Sequence, residues 1–499
     1  MKNRTMKRSR FHAVWTALAL SAWGVGMTSA QPGNGGGGLP APVFNPPVEF
    51  QTDVGYPFGL ASADFLDANG NPGQDGYPEI AVAGAGVHLF DPDLTDCTDS
   101  PLDQHYIKIY DNLGVDTDSA WNGLSEVQVL NIHNAVPDMW AMNMAFADVT
   151  GINGPDLVLV GQDPDVLPSG SGFLVVYKNN GDGTFNPTPL VWQTTVPFES
   201  LVVKDFDLDG DIDIIASSSN LHSDWNCSDV GVSEQDAVVV FENKTDQFGL
   251  NFFIRPTIDL GIPGNFAPGD IVTDDFDALS PGQPLLDLAT PNPHDISISE
   301  ATNIGNLNFV PNTQNPPNGC DPNGSLVSAT SGRFGADINW DFAAVHLLGG
   351  EGDPVFVDVF QGDGRGAFTA PCAEYQIEFS QNGNSIVQAQ GIASGSIDNG
   401  PYPDIVAGVW VLGAATRSIS SSSVAVLLGK ADGTFQAESA QQAYLLDNSI
   451  GNIPANLMVV DLDADGFDDI VVANHEYDTK AKTDTISVFI NALSISNGP

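Results

Sequence analysis

Two stretches of the chain carry carboxylates at a spacing that suits a hard divalent cation. Residues 201–217 read LVVKDFDLDGDIDIIAS and residues 458–474 read MVVDLDADGFDDIVVAN. In the first, Asp205, Asp207 and Asp209 stand at alternate loop positions, so their carboxylates can converge on one point. Gly210 permits a sharp turn, the backbone carbonyl of Asp211 can face inward, and Asp213 at position 9 closes the shell. Asp461, Asp463, Asp465, Gly466, the carbonyl of Phe467 and Asp469 repeat the set. Oxygen ligands in this number suit Ca²⁺, whereas Mg²⁺ demands a stricter octahedron and keeps more water. An EF-hand would need a Glu at position 12 and flanking helices. Position 12 is Ala216 in one loop and Val472 in the other, and both loops run into short β-branched segments. A dockerin-like pair fails as well, because the copies lie far apart and lack helices. The remaining rival is an Asp-rich turn that holds its own backbone through side-chain hydrogen bonds.

Weaker copies of the loop recur along the chain. Asp64, Asp67, Asp75 and Glu79 lie in an expanded version, DFLDANGNPGQDGYPE (64–79). Asp275, Asp277 and Asp287 lie in another, DFDALSPGQPLLD, and Asp398 and Asp404 in SIDNGPYPD. For these the metal and the self-capped turn compete evenly. For Asp148 and Asp156 in DVTGINGPD, and for Asp337, Asn339 and Asp341 in DINWD, read as a shortened loop, the turn competes at least as well. Loop starts at 64, 148, 205, 275, 337, 396 and 461 make seven copies at a period of roughly 66 residues, the spacing expected of a repeat architecture.

The elements that must position these loops are strands. The flanking apolar runs are four or five residues long and β-branched, too short for helices. A second signature trails the first: VVYKNNGDGTF (175–185), VAVLLGKADGTF (424–435) and the looser VDVFQGDGRGAF (357–368). Each reads as a strand, an Asp-Gly turn needing positive φ, and a Phe that opens the next strand. One repeat is therefore strand A, acidic loop, strand B, a variable connection, strand C, turn and strand D. Such four-stranded antiparallel sheets have edges, which radial repetition into a propeller protects. The last copy stops at strand C, ISVFIN (486–491), while VFNPPVEFQTDV (43–54) resembles the D-strand segment TFNPTPLVWQTT (184–195). The expected fold is thus all-β: a seven-bladed β-propeller of four-stranded antiparallel blades, closed by an N-terminal strand that completes the last blade.

These copies resemble the FG-GAP/VCBS repeats of integrin α-type propellers and of secreted bacterial proteins. The resemblance covers roughly residues 43–493, with two loops matching the motif in full and five degenerate or expanded. It implies a calcium-stabilised extracellular binding or adhesion module. Integrin ligand binding is not implied, since it depends on a partner subunit and on residues without a match here.

The ends and the charge fit export. Lys2, Arg4, Lys7, Arg8 and Arg10 precede a mostly apolar stretch from Phe11 to about Met27, followed by Thr28-Ser29-Ala30. That is a secretory signal pattern over 1–30, with a Gly/Pro-rich linker over 31–42, the propeller over 43–493 and a short tail over 494–499. No other long apolar run exists, so a soluble, secreted or cell-surface monomer without membrane insertion is expected. The chain carries 63 acidic against 16 basic side chains, a formal net charge of −47. A field this negative excludes sequence-independent nucleic-acid binding and attraction to anionic lipid. Cys97, Cys227, Cys320 and Cys372 allow three disulfide pairings, and none sits in a CxxC pair that would suggest zinc.

No nucleophile elbow, zincin, P-loop or dinucleotide fingerprint occurs, so no catalytic residue is expected. A polysaccharide-active hydrolase or lyase built on the propeller is the alternative function. The face opposite the acidic loops carries His222, Trp225, His294, Trp410 and His475, residue types that hydrogen-bond and stack on sugars. Filling of loops and blade gaps is the competing role for them. The partner expected is an extracellular protein or carbohydrate.

Overall fold

The computed structural model describes residues 42–492 apart from 53, 67–72, 85–104, 118, 138, 164–170, 219–236, 246–249, 261–269, 278–284, 293–296, 315–322, 336, 349–352, 378–384, 399, 414–418, 431, 436–441, 446–451 and 477–483. Asp67, His222, Trp225, His294, Cys97, Cys227 and Cys320 lie outside the described residues, as do the signal segment and most of the linker. Cys372 is disulfide-bonded.

Among the described residues, twenty-nine strands form seven antiparallel sheets. Blade two shows the plan: β6 (Trp140–Ala147), β7 (Asp156–Asp163), β8 (Ser171–Tyr177) and β9 (Leu190–Thr194) pair in chain order. The two middle strands of blades two and three are the most deeply buried, because each is covered by a strand on each side and a blade on each face. β7 and the corresponding β11 (Asp213–Ser218) of blade three are buried at every residue. Outer strands such as β9 alternate between half-buried and exposed, as a half-covered pleat requires. Blade three departs slightly: β12 (Ala237–Asn243) pairs with both β13 (Phe252–Ile254) and β14 (Ile258–Asp259), so its fourth strand is broken in two.

Hydrophobic clusters sit between blades rather than within them. Val158, Val160, Leu174 and Val176 of blade two pack against Phe198, Ile214, Ala216 and Phe241 of blade three. Equivalent clusters join every neighbouring pair around the ring. The ring closes where the sequence suggests. β1 (Val48–Gln51) pairs antiparallel with β29 (Thr485–Phe489), completing the blade of β27 (Asn452–Val460) and β28 (Asp469–Glu476). Phe44 bridges Asn491 just as Phe185 bridges Asn179.

The Asp-Gly turns are longer than a two-residue hairpin. Asn180 N–H donates to Thr184 O at 2.9 Å, closing a five-residue loop between β8 and Phe185. Asp182 Oδ1 accepts from Thr184 N at 3.1 Å and Oγ1 at 2.6 Å, while Gly183 takes φ 82°. Thr434 contacts Asp432 in the same way.

Candidate metal centres

Each acidic loop ends on a carboxylate that is the first residue of strand B: Glu79, Asp156, Asp213, Asp287, Asp341, Asp404 and Asp469. All seven are buried. One oxygen accepts a backbone N–H from the start of its own loop. Thr150 N reaches Asp156 at 2.9 Å, Phe334 N reaches Asp341 at 2.9 Å and Leu462 N reaches Asp469 at 2.8 Å. In six of the seven the other oxygen accepts from the residue at the end of strand C, as Asn179 N does to Asp156 at 2.9 Å and Asn243 N to Asp213 at 2.8 Å. These acids therefore tie the A–B loop to strand C whether or not a metal is held.

Burial raises their affinity for protons. It pushes Asp213, Asp287 and Asp404 up to about 7, Asp469 up to about 8 and Asp341 up to about 6. Glu79 is pushed up to about 8, with Asp111 and Asp64 adding repulsion, and its Oε1 is buried without a hydrogen-bond partner. Asp156 is raised by burial in the same sense.

Among the described residues, three loops bring carboxylates together closely enough for one ion. Asp205, Asp207 and Asp213 offer oxygens within 4.8 Å of one another, as do Asp275, Asp277 and Asp287, and Asp461, Asp463 and Asp465. The two loops with identical spacing differ in detail. Asp209 turns away from its trio, with Oδ2 3.6 Å from Lys244 Nζ and Oδ1 accepting from Asp211 N at 3.0 Å. In the last loop Asp465 joins the trio in place of the final aspartate; both oxygens of Asp469 hold backbone, as those of Asp213 also do. Residues four and six take left-handed backbone in both: Leu208 and Gly210 at φ 62° and 101°, Ala464 and Gly466 at 57° and 93°.

The donors fit a calcium ion. They are hard oxygens, and Asp463 Oδ1 is buried without any hydrogen-bond partner inside its trio. Burial, then Asp465 and Asp461, pushes Asp463 up to about 6. A divalent cation there would remove the repulsion and satisfy the stranded oxygen. Two carboxylates about 4 Å apart repel by about 1 kcal/mol even in bulk water, and by more where partly buried.

The degenerate loops spend carboxylates on backbone, as the full loops also do where Asp205 accepts from Gly210 N at 3.0 Å and Asp461 from Gly466 N at 2.9 Å. The loop from Asp148 follows the same left-handed path, with Gly151 at φ 69° and Asn153 at 68°, yet carries Thr150 and Ile152 at positions three and five. Asp398 Oδ1 accepts the Gly400 N–H, and Asp404 Oδ2 accepts those of Ile397 and Asp398 at 2.9 Å. Asp64 accepts from Asp75 N and Gly76 N.

The loop around Asp337 needs correction. It is not shortened: it runs the full nine residues from Arg333, and buried Phe334 makes the contact to Asp341 that Phe206 makes to Asp213. Arg333 and Gly335 then occupy positions one and three, where the full loops carry aspartates. Arg333 lies over the Trp340 ring at 4.7 Å, and Asn339 Nδ2 donates to Gly362 O. A basic side chain thus stands at the sequence position of the first ligand.

On the opposite face, His475 is buried with Nδ1 3.1 Å from Asp484 Oδ1, and its ring lies 4.1 Å from that of Tyr56. Trp410 is half-buried opposite Gln388. Sequence reasoning missed the asparagines that end strand C. Asn243 Nδ2 donates to Val149 O of the preceding blade's loop at 2.9 Å, Asn303 to Phe206 O at 2.9 Å, Asn491 to Ile397 O at 2.7 Å and Asn112 to Leu462 O at 2.8 Å. The carbonyl is each time that of loop position two. The recurring strand endings VFEN, EATN and VFIN were the available signal.

The sequence signature of the FG-GAP repeat family matches residues 454–489, nearly all of the last blade's own three strands. No curated protein matches the chain. Among solved structures, the Dos1 propeller superposes with a TM-score of 0.42 at 10% identity, over 89% of this chain and 94% of that one. The periplasmic gluconolactonase PpgL of Pseudomonas aeruginosa gives 0.38 at 12%, over 78% and 88%. An α-L-arabinofuranosidase of Fusarium graminearum, in complex with an iminosugar inhibitor, gives 0.34 at 11%, over 70% and 93%. Likenesses this distant carry nothing about the chemistry of this chain.

Proposed function

We propose that this FG-GAP-type propeller is a secreted binding or adhesion module whose acidic loops hold structural calcium. The observation that carries the reading is the convergence of three carboxylate trios on the same edge of the ring. The ions would serve the turns and not a reaction, since their donors are the residues that fix the A–B connection.

The ligand surface we favour lies on that same edge. A cleft of about 730 Å³ is lined by Tyr77, Trp121, Asp463, Asp465 and Asn45, where the last blade meets the first. Aromatic rings beside a cation loop suit a sugar, one face stacking and the hydroxyls meeting hard oxygens. An array of glycans and extracellular-matrix proteins, probed with and without Ca²⁺, tests this. Calcium-dependent binding that weakens in Tyr77→Ala, with unchanged melting temperature, is the expected result. Binding indifferent to both changes would move the ligand site elsewhere, and turnover of a polysaccharide would replace the binding role with catalysis.

A further inference from the structure

Blade five contains a second kind of metal-ligating cluster, remote from its acidic loop. β20 (Asp341–Leu347), β21 (Val355–Gly362) and β22 (Phe368–Ile377) carry His346, Asp358 and Glu374 on one face. Asp358 lies opposite both Ala344 and Glu374 in register, and His346 stands one pleat further along. His346 is five residues beyond Asp341, about 16 Å along the strand. The cluster therefore shares nothing with the calcium loops. Its face is the one that packs on blade four through Phe342, Ala344 and Phe360.

Three features make this a built site. The ring nitrogen and the two carboxylates offer ligand atoms within 4.8 Å of one another. The His346 and Asp358 side chains are fully buried. The imidazole is oriented from behind: its Nε2 lies 2.7 Å from the Asn323 carbonyl oxygen, which can only accept, so Nε2 carries the proton. Gly324, at φ 105°, leaves room for it, since a Cβ there would come within 2.7 Å of Nε2. In the neutral ring Nδ1 is then a bare lone pair, and it faces Asp358 Oδ2 at 3.0 Å.

A lone pair against a carboxylate oxygen is repulsive unless a positive charge lies between them. A proton, carried by Nδ1 or by Asp358, or a metal ion therefore sits there. With both carboxylates ionised, a divalent ion and a neutral imidazole bring the charge of these three groups to zero, whereas an imidazolium leaves it at minus one. A ring whose far N–H is held by a backbone carbonyl is also the usual outer-shell arrangement of a metal-ligating histidine.

We propose that His346 Nδ1, Asp358 and Glu374 bind a borderline divalent transition ion, with zinc the ion the mixed nitrogen and oxygen donors suit, as a structural clamp across strands B, C and D of blade five. The nitrogen donor and the three-ligand set distinguish it from calcium, which takes more ligands and only oxygen.

The test uses the full chain, kept in excess Ca²⁺ throughout and stripped of zinc with a nitrogen-donor chelator. Elemental analysis after adding Zn²⁺ and dialysing is expected to show one equivalent retained. Melting should shift upward, and Co²⁺ in place of zinc should give a visible ligand-field band. His346→Gln and Glu374→Gln should each weaken uptake at least tenfold. Glu374 is only half-buried, so its variant tests the claim even if His346→Gln fails to fold. Uptake equal in wild type and Glu374→Gln would assign the zinc to the acidic surface and overturn the proposal. So would no retained zinc, with His346 protonated in the calcium-loaded protein.

Discussion

At the scale of single residues, the asparagine that ends strand C does work that its exposed neighbours do not. Asn243 Nδ2 donates to Val149 O, 94 residues earlier, and to Ile212 O at 3.0 Å, so one amide group joins two blades and its own loop. Replacing it with Ala takes the buried donor from Val149 O, leaving it only the longer Thr245 hydroxyl contact at 3.4 Å, and a poorly satisfied buried carbonyl costs about 1–3 kcal/mol. Asn243→Ala is expected to lose several degrees of melting temperature in calorimetry. Lys244→Ala, whose ammonium is about half exposed beside Glu242 and Asp209, should change it little. Equal losses would remove the asparagine from the account. The pairing was illegible from sequence because its partner lies in another repeat, and a lone Asn after a strand reads as an ordinary turn residue.

The acidic loops belong to the scale of elements. Their existence and period were legible, because Asp and Gly at fixed offsets and β-branched runs are local signals. What was not legible is how a loop spends its carboxylates. Asp337 reads as a first ligand, but the structural start is Arg333, identified only once Phe334 is seen buried with its N–H on Asp341. The last carboxylate of each loop reads as a ligand and proves to be a backbone staple as well.

Those staples predict a pH dependence. Folding raises the pKa of Asp213, Asp287, Asp404, Asp469 and Glu79 from the ordinary carboxylate range to about 7 or 8. A group that binds its proton more tightly when folded favours the folded state most below its unfolded pKa, and that advantage is lost as pH rises through the folded value. Without calcium, stability should therefore fall between about pH 4 and pH 8 in denaturant titrations. Saturating Ca²⁺ should flatten the fall, since it holds the ionised forms of Asp213 and Asp287. A calcium-free protein that grew more stable toward pH 8 would contradict the assignment.

At the scale of the whole molecule, the ring is held by packing between blades and by one strand taken from the other end of the chain. The sequence showed this because the last repeat lacks a D strand and the first 20 residues after Phe44 supply its spacing. Every residue of β29 is buried, and β1 covers its outer edge. Removing residues 1–51 should leave that edge open, as an unpaired strand that recruits other chains. Cooperative unfolding should be lost and higher oligomers should appear in size-exclusion chromatography. A monomer with unchanged melting would mean that closure contributes little.

The central claim, that calcium stabilises this propeller through its acidic loops, is tested most directly by calcium binding and melting measured together in low salt. Metal-free protein titrated calorimetrically should take up three Ca²⁺, one for each trio at Asp205, Asp275 and Asp461. At a hundredfold excess over Kd each site should add about 2.7 kcal/mol to stability, and EDTA should lower the melting temperature by several degrees. No heat of binding, and a melting temperature indifferent to both Ca²⁺ and EDTA, would contradict the account.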